Sequence, residues 1–128
     1  MSNIPHRFSE GVDMVSPVKW NALIDKYYQA NPLDTTNDSP FTDDDNFVNI
    51  EVDADSGLFT FNLKALSSYT RTDLTNFMES RRITNKSTSL YNLDVVPSGT
   101  DLLRGVNEKA TLAPGETIAI DVLPGGWQ

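Results

Sequence analysis

The segment between residues 48 and 64 constrains the fold more than any other part of the sequence. Apolar side chains occupy every second position on both sides of an Asp- and Gly-containing stretch at 53–57; they are Val48, Ile50, Val52, Phe59, Phe61 and Leu63. This period of two places them on one face of an extended chain. The stretch at 53–57 has the composition of a turn. Together they predict an antiparallel hairpin with one buried face.

Similar strand signals recur toward the C-terminal end. Residues 91–95 alternate apolar and polar side chains and are followed by a Pro-Ser-Gly turn at 97–99. Residues 113–116 place Pro and Gly at the central positions of a type II turn, and Ile118, Ile120 and Val122 then alternate with other side chains. Short strands between turns predict a mainly β chain. We expect an antiparallel β-sandwich, Ig-like or jelly-roll-like, over residues 46–123 and a C-terminal tail at 124–128.

An amphipathic helix is expected near residues 17–30. Ser16 is a favoured N-cap, Pro17 suits the first helical position, and the helix should end before Pro32. One stripe of apolar side chains follows the helical period: Trp20, Leu23, Ile24 and Tyr27. Such a stripe has two interpretations. It belongs to the core of its own domain, or part of it docks on another subunit, where Trp and Tyr contribute much of the binding energy.

The residues before this helix predict an extended arm. Pro5 and Gly11 oppose a helix, and the apolar side chains have no clear period. The alternative is a frayed terminus. A solvated tail has little need for apolar side chains, so residues 1–30 are interpreted as an arm and anchoring helix. The candidate partner-binding residues are Ile4, Phe8, Val12, Trp20, Leu23 and Tyr27.

A second, short helix is expected near residues 73–82. Thr72 can cap it, Asp73 suits its positive N-terminal end, and the pair Arg81-Arg82 suits its C-terminal end.

Acidic residues are concentrated in one part of the chain. The net charge is −8, and no basic residue lies between Lys26 and Lys64, whereas eight Asp and Glu do. We expect residues 31–45 to form a polar acidic loop. This loop either stays solvated, which favours solubility, or meets a basic patch on a partner.

The aspartates at 43–45 and 53–57 also raise the possibility of calcium. An EF-hand loop needs a glutamate at its twelfth position, and the twelfth residue from Asp53 is Lys64. Turn formation explains 53–57 better, and no metal or other cofactor is expected.

Composition bounds the remaining function classes. The chain has 128 residues, the size of one domain, and no cysteine. It lacks an apolar run long enough to cross a membrane and a concentrated basic patch for nucleic acid. Its single histidine, His6, lies in the expected arm, and no glycine-rich phosphate loop is present. We therefore expect no catalytic residues, no enzymatic activity, and no binding to nucleic acid or membrane.

Two parts of the chain resemble segments of tailed-bacteriophage virion proteins. The first comprises "ITNKS" at 83–87, "YNLDVVPSG" at 91–99 and "TLAPGET" at 111–117, which is similar to the strand-and-turn pattern of their sandwich modules. The second is "SPVKWNALID" at 16–25, which is similar to a segment common near the N-termini of phage fibre and other virion proteins. The resemblance covers about half the chain and implies a structural virion protein with no inherited active site.

From this resemblance we expect a capsid decoration or cement protein of the virion, assembled in the host cytoplasm. Its expected partners are the major capsid protein or fibre and tail proteins, with the chain itself a homo-oligomer. One alternative is a fibre, neck or tail adaptor. A second, from another class, is a carbohydrate-binding module that uses exposed aromatic side chains, of which Trp127 is the first candidate; the others are Trp20, Tyr27, Tyr28, Tyr69 and Tyr91.

Overall fold

The computed structural model describes residues 17–69 and 79–128. Within these residues, regular structure consists mainly of strands arranged in two sheets. The helical elements there are α1 (Pro17–Tyr28), α2 (Thr35–Asp38) and a 3-10 turn at Leu66–Ser68. The prediction of a mainly β chain with few helices is confirmed.

Nine strands of the described residues divide between the two sheets. In spatial order, sheet A contains β1 (Ala30–Asp34), β3 (Asn49–Asp53), β5 (Ser80–Asn85), β8 (Thr117–Leu123) and β9 (Gly126–Trp127). Sheet B contains β2 (Phe41–Thr42), β4 (Phe59–Asn62), β6 (Leu93–Val96) and β7 (Ala110–Leu112).

The chain winds between the two sheets instead of folding back on itself. It visits sheet A and then sheet B three times, so that β1, β3 and β5 are parallel and β2, β4 and β6 are parallel. Strands β7 and β8 then pair antiparallel with β6 and β5, and β9 pairs antiparallel with β8. Both sheets are therefore mixed, and the antiparallel Ig-like sandwich is not confirmed.

The predicted hairpin over residues 48–64 is wrong in its pairing. Strand β3 lies in sheet A and β4 in sheet B, and the intervening residues carry the chain from one sheet to the other. The alternation itself is correct, because Ile50, Val52, Phe59 and Phe61 are all buried. A period of two shows that a strand has one buried face, and strands of two facing sheets satisfy this as well as a hairpin does.

The two sheets share one apolar core. Sheet A contributes side chains such as Val52, Ile83 and Ile120, and sheet B contributes Phe59, Phe61 and Leu93, all almost completely buried. The predicted inward positions Ile118, Ile120 and Val122 are confirmed. The turn at 113–116 is also confirmed, because Gly115 has a φ of 91° and Glu116 N–H donates to the Ala113 carbonyl at 3.0 Å.

The predicted acidic loop at 31–45 contains regular structure over much of its length. Strand β1, helix α2 and strand β2 lie within residues 30–42 and add one strand to each sheet. Asp34 caps α2, since its side chain accepts from the N–H of Asn37 at 2.9 Å. Aspartates that suggested a solvated loop are thus partly used as local caps.

Two further boundaries differ from the expectation. Residues 73–78 of the predicted short helix lie outside the described residues, while residues 80–82 begin β5 and are extended. The predicted tail at 124–128 contains β9, in which Gly126 approaches Leu102 so closely that a Cβ there would lie 2.6 Å from its carbonyl oxygen. Only glycine fits this position, because its φ of 133° also disfavours other residues.

Candidate interaction site on helix α1

Helix α1 begins and runs as the sequence predicts. Pro17 is its first residue, and it ends at Tyr28, before β1 begins at Ala30. Proline is tolerated there because a first-turn N–H has no intrahelical partner. The predicted cap, Ser16, lies outside the described residues.

The apolar stripe of α1 is only partly covered. Trp20, Ile24 and Tyr27 are half-buried and Leu23 is 40% exposed, whereas the inward side chains of both sheets are almost fully buried. A helix that belonged wholly to the core would bury its stripe to a similar degree. The stripe therefore offers apolar surface beyond what the core takes up.

A shallow groove of about 270 Å³ follows this stripe. Its lining consists of Trp20, Leu23, Ile24, Tyr27 and Tyr28. The groove is thus walled by large aromatic and aliphatic side chains, which are the residue types that anchor protein–protein contacts.

The C-terminal end of α1 is fixed to sheet A by hydrogen bonds. The Val48 N–H donates to the Lys26 carbonyl at 2.8 Å, and the Asn49 Nδ2 donates to the Tyr27 carbonyl at 3.2 Å. These bonds satisfy carbonyl groups that would otherwise lack partners at a helix end. The groove is therefore held in a defined position relative to the sheets.

A buried ion cluster reinforces this attachment. Arg81 on β5 is 1% exposed, and its Nε donates to Asp43 Oδ2 at 2.9 Å. Its other nitrogens donate to Glu79, at 3.0 Å, and to Asp45. Lys26 of α1 reaches the same cluster, with its Nζ 2.9 Å from Glu79 Oε1. The helix and β5 thus share carboxylate partners.

The charges of the cluster balance within the described residues. Asp43, Asp45 and Glu79 carry three negative charges, and Arg81, Lys26 and Lys64 carry three positive ones, with Lys64 Nζ 3.3 Å from Asp45 Oδ2. The Tyr69 hydroxyl also donates to Asp45, at 3.0 Å. Buried charges need this degree of pairing, because an unpaired one would be strongly destabilising.

The cluster shifts the pKa values of its members. Burial alone would raise the pKa of Asp45, but hydrogen bonds from Arg81 and the charge of Lys26 outweigh it and lower the pKa to about 2. Burial would lower the pKa of Arg81, but the charge of Asp43 and the hydrogen bonds that Arg81 donates to Asp43 and Glu79 raise it above its ordinary value. Burial also raises the pKa of Tyr69 well above its ordinary value and that of Tyr27 to about 12. All four groups therefore keep one charge state near neutral pH.

Acidification is expected to destabilise the fold through Asp45. Its pKa falls from an ordinary 3.8 to about 2 on folding, so its ionised form stabilises the folded state above pH 3.8. That contribution is lost as the pH falls from about 4 toward about 2. Urea unfolding of the wild type and Asp45→Asn across this window measures the effect. The variant should be less stable at neutral pH and lose less stability on acidification.

The neighbouring Asp44 supplies a matched control. It is exposed, so Asp44→Asn should follow the wild-type pH dependence. Equal pH dependence of Asp45→Asn and Asp44→Asn would contradict the assignment.

The predicted partner-binding residues divide into two groups. Trp20, Leu23 and Tyr27 lie together in the groove of α1, while Ile4, Phe8 and Val12 lie outside the described residues. The prediction missed Tyr28, which is 80% exposed at the end of the groove. The helical period places Tyr28 just beside the apolar stripe, and this position explains its exposure.

Two expectations about individual side chains are corrected. Asp43 and Asp45 were expected in a solvated loop or against a partner's basic patch, but their basic partners are Arg81, Lys26 and Lys64 of the same chain. Trp127 was expected to be an exposed candidate for sugar binding, but it is fully buried. It packs edge-on against Tyr69, with ring centroids 6.2 Å apart.

In the part of the chain that the structure describes, no group of three or more acidic or histidine side chains is arranged to hold a metal ion. No helix among residues 17–69 and 79–128 has the length and apolar character needed to cross a bilayer.

Comparison with known proteins gives no relative. No protein-family model, curated protein or solved structure matches the chain.

Proposed function

We propose that the chain is a non-catalytic structural protein of a tailed-bacteriophage virion, most simply a capsid decoration or cement protein. It binds an apolar surface of a neighbouring virion subunit through the groove of α1. The observation that carries the proposal is this half-covered apolar stripe on a helix fixed to the rest of the fold. The resemblance of residues 16–25 to a segment of virion proteins supports the choice of partner.

The attachment of α1 favours binding because it reduces the entropy lost on docking. Lys26 bonds to Glu79, and the last carbonyls of the helix bond to residues 48 and 49. A helix already held in place loses little conformational freedom when a partner covers its groove. Trp20 and Tyr27 then supply large apolar area with few rotatable bonds.

Repetition strengthens a contact of this size. A groove of about 270 Å³ on one helix offers a small contact area. A virion lattice presents many copies of the partner surface, and a homo-oligomer of the chain presents several copies of the groove. Linked copies then bind far more tightly than one copy does. A fibre, neck or tail adaptor would use the same groove on a different subunit.

The test measures incorporation into virions with and without the groove. The tagged protein is produced in host cells during phage assembly, and its copies per purified particle are counted by quantitative mass spectrometry. Leu23→Glu should reduce the copy number about tenfold or more, because it places a charge on apolar surface that the partner would bury. The melting temperature should hardly change, since Leu23 is outside the core.

Ala22→Glu is the matched control. Ala22 is exposed on the other side of α1 by the helical period, so the same new charge should leave incorporation unchanged. Deleting residues 1–15 tests the arm separately and should also reduce incorporation. Absence of the wild-type protein from particles, or equal incorporation of Leu23→Glu, would contradict the proposal.

A further inference from the structure

The outer face of sheet A carries a polar cleft that shares only Tyr28 with the lining of the groove. Its volume is about 210 Å³, and it is lined by Tyr28, Ala30, Asn49, Ile50, Glu51, Arg82 and Thr84. All of these except Tyr28, at the end of α1, lie on the first three strands of sheet A. The cleft therefore lies across three adjacent strands of one sheet.

Strand register explains how the cleft forms. Ala30, Asn49 and Arg82 are cross-strand partners in one row, and Glu51 and Thr84 are partners in the next. Side chains of one row share a sheet face, so these five lie on the face opposite the buried Ile50 and Ile83. The small Ala30 leaves space beside the larger side chains of Asn49 and Arg82. The exposed Tyr28 ring borders this space.

The charges in the cleft differ from those of the buried cluster. Arg82 and Glu51 are exposed, and within the described ranges neither forms an ion pair, whereas the adjacent Arg81 is fully paired. Arg82 and Glu51 are diagonal neighbours on adjacent strands. One cation and one anion leave the cleft near neutral on a chain of net charge −8. An ionic ligand of either sign has no clear advantage there.

The hydrogen-bonding groups of the cleft suit a ligand rich in hydroxyl groups. Arg82 offers only donors, Glu51 only acceptors, and Thr84 both. The Asn49 Nδ2 already donates to the Tyr27 carbonyl, so its amide is fixed and its oxygen is an acceptor. Thr84 Oγ1 lies 2.8 Å from Thr117 Oγ1, which restrains the hydroxyl. Neighbouring hydroxyls of one ligand can therefore donate to Glu51 and accept from Arg82.

We propose that this cleft binds a neutral hexopyranose ring, with the apolar face of the sugar on Tyr28 and its hydroxyls bonded to Arg82 and Glu51. The volume is below the roughly 300–1,000 Å³ of drug-sized pockets, which favours a single ring over a large ligand. Small-molecule sites use placed polar groups to orient a ligand, and this cleft sets four polar side chains beside one aromatic ring. This inference does not depend on the proposed virion role.

The test is an NMR titration of the full chain with three neutral probes: the methyl glycosides of glucose, galactose and mannose. At least one should shift the backbone amides of residues 49–51 and 82–84, with affinity in the millimolar range. Tyr28→Ala and Arg82→Gln should each weaken that binding about tenfold or more. Thermal melts of both variants confirm that the fold is intact.

Tyr91→Ala and Arg104→Gln are the matched controls, since both residues are exposed and outside the cleft. They should bind the sugar as the wild type does. No shift in the cleft with any of the three glycosides would overturn the proposal. Unchanged binding in Tyr28→Ala and Arg82→Gln would also overturn it. A response to the anionic methyl glucuronide alone would do the same, because it would show a charged ligand in place of a neutral one.

Discussion

Replacing Arg81 with alanine is expected to lower the free energy of unfolding by about 3–5 kcal/mol. Arg81 is almost completely buried and pairs with Asp43, Glu79 and Asp45. Without it, the buried carboxylates of Asp43 and Glu79 lose their guanidinium partner but stay in a place that water hardly reaches. Unpaired buried charge is among the most destabilising changes a single substitution can make.

Urea unfolding at neutral pH measures this effect. Arg82→Ala is the control, because Arg82 is the next residue on the same strand and is exposed; its expected change is within about 0.5 kcal/mol. Arg81→Lys should fall between the two, since lysine keeps the charge but cannot form several directed bonds at once. Similar losses for Arg81→Ala and Arg82→Ala would show that the cluster does not stabilise the fold.

The contrast between Arg81 and Arg82 also shows where sequence reasoning failed. Both were assigned to the end of a helix, where basic residues favour the negative pole. On β5 they point to opposite faces, one into the ion cluster and the other into the solvent-facing cleft. Two adjacent arginines do not show whether they lie in a helix or a strand. The face on which each side chain lies therefore depends on the element that contains them.

Strand content was predictable because burial of one face is a local property. Phe59 and Phe61, and later Ile118 and Ile120, repeat at every second position, and each of them is buried. The partner of each strand was not predictable in this way. The same alternation is compatible with a hairpin or with two facing sheets, and the choice depends on contacts between distant residues such as Ile50 and Ile83.

The same distinction between local signals and long-range contacts applies to the candidate site. Helix α1 and its stripe were predicted, because Pro17 and the spacing of Trp20, Leu23 and Tyr27 are local signals. The ion cluster that holds the helix joins residues far apart in sequence: Lys26 is 53 positions from Glu79, and Asp43 is 38 from Arg81. From the sequence alone, charged residues such as these are expected at the surface, because their partners lie far away along the chain.

Replacing Trp127 with alanine is expected to lower the free energy of unfolding by about 3–5 kcal/mol, because it would leave a large cavity beneath the ion cluster. The indole is fully buried, packs edge-on against Tyr69 and lies 5.9 Å from the Arg81 guanidinium. Within the described residues its Nε1 has no hydrogen-bond partner, so Trp127→Phe removes volume but no polar bond. That variant should lose only about 1–2 kcal/mol.

Urea unfolding measures both, with Tyr91→Ala as the exposed aromatic control. If Trp127→Ala were as stable as that control, residues 124–128 would be the loose tail that the sequence predicts, and β9 would contribute nothing to the core.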